Sequence, residues 1–95
     1  MALIFEWDDE KAKKNQRKHK VNFEEARTVF GDPLLVSFEY EYSYDGGGLI
    51  GIGASRLSKT LLVVHAEMSE RRRSIVRLIS ARKATAYERR VYKNN

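Results

Sequence analysis

The spacing of apolar residues changes several times along this chain, and each change marks an element. Leu3 and Phe5 alternate with Ile4 and Glu6, which predicts a short strand over Ala2 to Trp7. Asp8 then reads as an N-cap, with Asp9 and Glu10 in a first turn where acids oppose the helix dipole. The helix it opens runs to about His19 and has almost no apolar stripe. Only Ala12, Asn15 or Gln16, and His19 line one face, so it belongs on the surface, anchored by Trp7 and Ala12. Asn22 with Glu25 three positions on predicts a capping box, and the next helix presents Phe23, Ala26, Val29 and Phe30. Gly31 ends it and Pro33 forbids its return.

The period then shortens. Leu34 to Tyr42, Leu49 to Ala54, Thr60 to Met68 and Ser74 to Ser80 read as strands, joined by loops at Asp45-Gly46-Gly47-Gly48 and Arg56-Leu57-Ser58-Lys59. A last helix opens at Thr85, with Glu88 completing a capping box and Ala84, Tyr87 and Val91 on one side. One strand, two helices, four strands and one helix predict an α+β layer fold. Its antiparallel β-sheet is covered by two N-terminal helices and one C-terminal helix, in a single domain over 1–95. Val76 to Ile79, apolar on both faces, is the central strand.

Charge adds a direction to this picture. The chain of 95 residues carries 18 basic and 13 acidic residues, a net charge of +5. Lys11, Lys13, Lys14, Arg17, Lys18 and Lys20 crowd one end, and a second basic block runs from Arg71 to Lys93 around an acidic middle. Brought together, the two blocks would make one cationic face for a polyanion. Solvated lysine helices are equally ordinary, so charge alone decides nothing. Without cysteine there are no disulfides or thiolate zinc sites. Apolar runs are too short to span a membrane, and Met1 to Trp7 lacks the basic start of a signal peptide, so a cytoplasmic protein is expected.

Arg77 interrupts the apolar run Ile75-Val76-Arg77-Leu78-Ile79 and must find acceptors there. It is expected either in an internal ion pair with Glu67 or Glu88, or as a fixed cation for a phosphate. The stretch that follows carries a family pattern. Trp7-Asp8, Lys11-x-x-x-Asn15-x-x-Lys18-His19, Phe23-x-Glu25-Ala26, Asp32-Pro33, an Ile-Gly pair and Ile79-Ser80-Ala81-Arg82-Lys83-Ala84-Thr85 fall in one order. Together they resemble the BrnT group of small ribonuclease toxins of bacterial type II toxin–antitoxin modules. The resemblance implies a RelE-like fold, metal-independent cleavage of mRNA without a cofactor, and inhibition of translation. It also implies a BrnA-like ribbon-helix-helix antitoxin as partner, with DNA reached only through that antitoxin.

Such a ribonuclease must deprotonate a 2′-hydroxyl, stabilise charge on the phosphate and protonate the leaving oxygen. The candidate catalytic residues are His19, Glu67, Arg77, Arg82 and Tyr92. His19 could instead be a helix cap, Arg82 a salt-bridge partner of Glu88 or Glu67, and Tyr92 a packing aromatic. Arg82 and Tyr92 match by type and place the arginine and the late tyrosine that RelE-like toxins use. His65, on a strand face with Leu61 and Val63, reads as a residue of the core edge. Lys13, Lys14, Arg17 and Lys18, with Arg71, Arg72 and Arg73 in a loop between strands, are the candidate RNA-binding residues.

The chain departs from its family at Gly46-Gly47-Gly48, where an acid and an arginine are usual, and at Lys20, where glycine usually follows Lys-His. The first departure opens the alternative of a catalytically impaired homologue, or a basic binding module that does not cut. No zinc pattern, RRM signature or stacking motif supports sequence-specific reading.

Overall fold

The computed structural model describes residues 2–40 and 48–94. Strand β1 (Ala2–Glu6) leads to helices α1 (Asp9–His19) and α2 (Phe23–Ala26), then a 3-10 turn over Arg27–Gly31. Strands β2 (Val36–Tyr40), β3 (Gly48–Ala54), β4 (Thr60–Glu70) and β5 (Arg73–Lys83) follow, and α3 (Ala86–Lys93) closes the chain. One sheet holds all five strands in the order β1-β5-β4-β3-β2. Strands β2 to β5 form an antiparallel meander, while β1 runs parallel to β5, Ala2 opposite Arg73 and Glu6 opposite Arg77.

The α+β fold is as expected, but the sheet is mixed rather than wholly antiparallel. A hairpin imposes antiparallel pairing only on sequence neighbours, and the long path from β1 to β5 leaves the parallel arrangement open. Strand β5 lies between β1 and β4, an interior place that suits its two apolar faces. It also runs past Ser80, because Ala81, Arg82 and Lys83 pair with Val63, Leu62 and Leu61. Strand β2 starts later than predicted because Asp32 holds Leu34 and Leu35 in a turn, accepting from Leu34 N–H at Oδ1 and Leu35 N–H at its carbonyl. The expected loop at Asp45-Gly46-Gly47 lies outside the described residues. Gly48 is the first residue of β3, opposite Tyr40.

One sheet face is roofed by α1, α2 and the 3-10 turn. Val21, Phe23, Ala26 and Val29 from the helices meet Leu61, Val63, Val76, Leu78 and Ala81 from the sheet, all buried. Burying a side chain such as Phe23 stabilises by roughly 1.5–3 kcal/mol. Trp7 stands edge-on to Phe23, and Phe30 bridges Phe5 and His65. The 3-10 turn comes close because β3 is bare beneath it. A Cβ on Gly53 would lie 3.0 Å from Leu35 Cδ1 and 3.3 Å from Val29 Cβ.

The caps are those predicted, with two differences. Asp8 accepts from Glu10 and Lys11 N–H, and Thr85 and Glu88 make a full capping box. Asn22 accepts from Glu25 N–H, but the Glu25 carboxylate does not return to the cap; it takes the Ser55 hydroxyl at 2.7 Å and pins α2 to the β3–β4 turn. Tyr87, expected beside Ala84 and Val91, points outward and is 67% exposed. Glu88 must reach back to both Thr85 and Arg82, and that rotation turns its neighbour to solvent.

Lys20 ends α1 in the left-handed region, with φ 59°. A side chain there is strained where glycine is not. Lys20→Gly should therefore raise stability by about 1 kcal/mol, read as a shift of the urea midpoint at unchanged slope.

His65 is buried in the core, as its structural reading required, and its Nδ1 lies 3.2 Å from the Val63 carbonyl. Burial pushes its pKa below the ordinary 6.5, against the opposing pull of the Val63 carbonyl and the Glu67 charge. A depressed pKa gives stability that is complete above 6.5 and declines as pH falls below it. The carboxylates with lowered values act only in more acid solution, below their ordinary 3.8 to 4.5. Between about pH 7 and pH 5 the parent should thus lose thermal midpoint through His65, and His65→Leu should flatten that part of the curve.

Candidate functional site

Strand β1 stops at Glu6 while β5 continues to Lys83, so beyond Arg77 that edge of β5 has no strand beside it among the described residues. Helix α1 comes up against the bare edge, and Asn15 makes the join. Its Nδ2 donates to the Ala81 carbonyl at 2.8 Å and to the Val21 carbonyl at 2.9 Å. Its Oδ1 accepts from Ala81 N–H at 3.0 Å and from the Ser80 hydroxyl at 3.3 Å. The amide thus answers both backbone groups of Ala81, as a neighbouring strand would. It is 6% exposed, the one buried residue of α1.

Along this seam runs an open groove of about 560 Å³, lined by Lys11, Lys14, Asn15, Lys18, His19, Ile79 and Ser80. Lys11, Lys14, Asn15 and Lys18 share a helix face at three- and four-residue spacing, so one wall is cationic. No carboxylate lines it. Among the described residues Lys14, Lys18 and His19 have no side-chain hydrogen bond or ion pair, and Lys11 acts only as a charge near Asp8. Such a groove can hold phosphates, and its half-buried histidine supplies an imidazole, a side chain suited to general acid–base work.

The other predicted residues lie elsewhere. Lys13 and Arg17 sit on the exposed side of α1, Lys13 within 4.0 Å of Glu10. Arg77 is exposed on the face opposite the core, where its Nη1 donates to Glu6 Oε2 at 2.7 Å. The expected half-buried pair with Glu67 or Glu88 is therefore replaced by a cross-strand pair with the register partner on β1. Ala66, not Glu67, stands opposite Arg77, and Glu67 points to the other face, exposed beyond His65. Asp8, the cap of α1, feels the charges of both Lys11 and Arg77.

Arg82 grips Glu88 with two hydrogen bonds of 2.8 and 2.9 Å. That hydrogen bond is the main cause of a Glu88 pKa down at about 2, with Thr85 N–H assisting. Tyr92 donates its hydroxyl to Asp32 Oδ2 at 2.5 Å. Burial disfavours the Asp32 anion, but N–H groups of Ala54 and Leu34 and the Tyr92 hydroxyl outweigh it and keep the pKa low. The same bond raises Tyr92. Arg71 and Arg72 form the β4–β5 turn, and Arg73 opens β5. Seven residues separate Arg73 from Ser80, roughly 23 Å of strand. Arg71 to Arg73 therefore stand at the far end of β5 from the groove, and that part of the second basic block does not join the lysine wall.

A family model described as ribonuclease toxin, BrnT, of type II toxin–antitoxin system matches residues 7–88. The chain belongs to the BrnT family. The crystal structure of the Brucella abortus ribonuclease toxin BrnT superposes with a TM-score of 0.60 at 20% identity, over 90% of this chain and 99% of that one. At that identity the match speaks for the fold. No match is found among curated proteins.

Most of the BrnT pattern proves to be joinery. Trp7 packs, Asp8 caps, Asn15 clamps, Glu25 pins α2, Asp32 braces three donors and Thr85 caps α3. Once these are assigned, Lys11, Lys18, His19 and Lys83 are the polar pattern residues whose side chains make no hydrogen bond or ion pair among the described residues, and the first three line the groove. The sequence reading found His19 and Lys18 but passed over Asn15. Its signal was an amide on the inner face of a helix with nothing else to bury.

Proposed function

We propose that this BrnT chain is a metal-independent endoribonuclease that cuts mRNA and so inhibits translation, and that a BrnA-like ribbon-helix-helix antitoxin neutralises it in the cytoplasm. Any contact with DNA would then pass through the antitoxin. The observation that carries the reading is the unpaired lysine wall with His19 at its end. In this scheme the backbone of a single strand lies along Lys11, Lys14 and Lys18, held by phosphate contacts that carry no sequence information. His19 takes the 2′-hydroxyl proton, and the 2′-oxygen bonds to phosphorus as the P–O5′ bond breaks. The lysines stabilise the charge gathering on the phosphate, and water in the open groove protonates the leaving 5′-oxygen, giving a 2′,3′-cyclic phosphate and a 5′-hydroxyl. Arg77 joins when substrate phosphate displaces Glu6 from its guanidinium.

A second reading, a homologue that binds but does not cut, has support of its own. Arg77 and Arg82, the cations best shaped for phosphate, are already matched to carboxylates, Arg82 in both arms of its fork. The Gly46-Gly47-Gly48 run also lacks the family's acid and arginine. Incubating the purified protein with naked RNA in chelator separates the two. The ribonuclease reading expects fragments ending in cyclic phosphate, and none from a strand whose riboses are 2′-deoxy. Intact RNA that is nonetheless bound selects the second reading.

A further inference from the structure

Helix α3 carries a second basic surface that the groove beside α1 does not use. Ala86, Arg89, Arg90 and Lys93 share one helical face and, with Thr60 and Tyr92, line an open cavity of about 350 Å³. The nearby acids are spent. Glu88 is held by Arg82 and Thr85, and Asp32 by Tyr92 and two backbone donors. The β3–β4 turn stands next to this face, since Ala84 N–H bonds the Thr60 carbonyl, and adds the exposed cations Arg56 and Lys59.

Tyr87 stands beside this cavity rather than in its lining, next to Arg90 on the helix. Among the described large hydrophobic side chains it is the most exposed, at 67%, and Arg90 Cζ lies 6.0 Å from its ring centroid. Neither the core nor the helix cap needs an aromatic there. An open ring with a guanidinium near it, on a helix that carries further cations, presents a flat apolar face together with charge. Those are the two things an unpaired nucleotide offers partners for. Ser80 of the α1 groove and Ala86 of the α3 cavity are six residues apart, at most about 20 Å even fully extended. One strand can therefore reach both.

We propose that Tyr87 and Arg90 form a base-stacking platform for single-stranded RNA, with Arg89 and Lys93 following its backbone, a few nucleotides away from the α1 groove. This rests on the reading of the chain as an RNA-binding toxin and adds the place where a base outside the groove is held. Stacking of this kind tolerates any base, consistent with the absence of a sequence-reading motif.

The test measures binding of fluorescein-labelled RNA by anisotropy, single-stranded and as duplex, with the full chain at low salt. Tyr87→Ala should weaken single-strand binding on the order of ten-fold and leave duplex binding unchanged, because paired bases cannot unstack onto the ring. Tyr87→Phe should bind like the parent, and Tyr87→Leu like the alanine variant. Tyr87 is a surface residue, so circular dichroism and the thermal midpoint should match the parent in all three. Equal single-strand affinity for parent, alanine and leucine variants would overturn the platform while leaving the α1 groove standing. A parent that binds no RNA would overturn both. Loss of antitoxin binding with RNA binding intact would reassign Tyr87 to a protein interface and overturn the proposal as well.

Discussion

Asn15→Leu should cost about 3–5 kcal/mol of folding stability, although the residue sits on a helix that looks like a solvated surface element. The substitution keeps the branched four-atom skeleton and improves helix propensity, so local preference predicts no harm. The loss comes from what is stranded. Ala81 N–H and carbonyl and the Val21 carbonyl lose their partners in a place water does not reach, and each buried orphan costs about 1–3 kcal/mol. Set against a total of roughly 5–15 kcal/mol, this is a large fraction of what a domain has. Asn15→Asp is the sharper control. It keeps the acceptor for Ala81 N–H but turns the donor into a charge facing two carbonyls, so its stability should fall as pH rises through the carboxylate range. Urea unfolding at acid and neutral pH reads both variants. A leucine variant within about 1 kcal/mol of the parent would show that α1 is not clamped through this amide.

The second large effect concerns chemistry. His19→Ala should lower RNA cleavage by about 10²–10⁴-fold with the fold intact, since the side chain has no hydrogen bond or ion pair among the described residues. Lys11→Ala with Lys18→Ala should weaken RNA binding about equally for all sequences and reduce the salt dependence by about one unit per lost phosphate contact. Arg82→Ala should behave in the opposite manner. It breaks a bidentate pair and loosens the α3 cap, so about 1–2 kcal/mol of stability goes first. Midpoint and cleavage rate, measured on the same preparations, separate the two classes. Cleavage that survives in the His19 variant at the parent rate would remove that residue from the reaction.

What could be read in advance was local. Asp8 before two acids, Asn22, Thr85 with Glu88 three on, and Gly31-Asp32-Pro33 each act within a few residues, and their elements begin or end close to the predicted places. The apolar run of β5 gave its interior position, and the family pattern gave the fold and the family. Apart from Tyr87, the contacts that were not foreseen involve distant partners. Arg77 finds Glu6 across 71 residues, Asn15 finds Ala81 across 66, and Tyr92 finds Asp32 across 60. No spacing rule along the chain encodes those meetings. The candidate site suffered most, because it joins one helix face to one stretch of a strand far along the chain. Arginines were favoured for their fork, yet the fold spends Arg77 and Arg82 on carboxylates and leaves the lysines free.

The parallel pairing of β1 with β5 also has a consequence in time. Helix α1 is made early and the edge it docks on is made late: Ala2 must wait for Arg73, and Asn15 for Ala81. Closing so long a loop is entropically the dearest step of the assembly and comes after the local β2–β5 hairpins have formed. Until then α1 is a charged, nearly stripe-less helix of marginal stability, and the lysine wall has no opposing side. A chain still emerging from the ribosome, with β5 inside the exit tunnel, therefore has no groove at all. On the proposed reading, contact with RNA through the lysine wall would wait for that last strand.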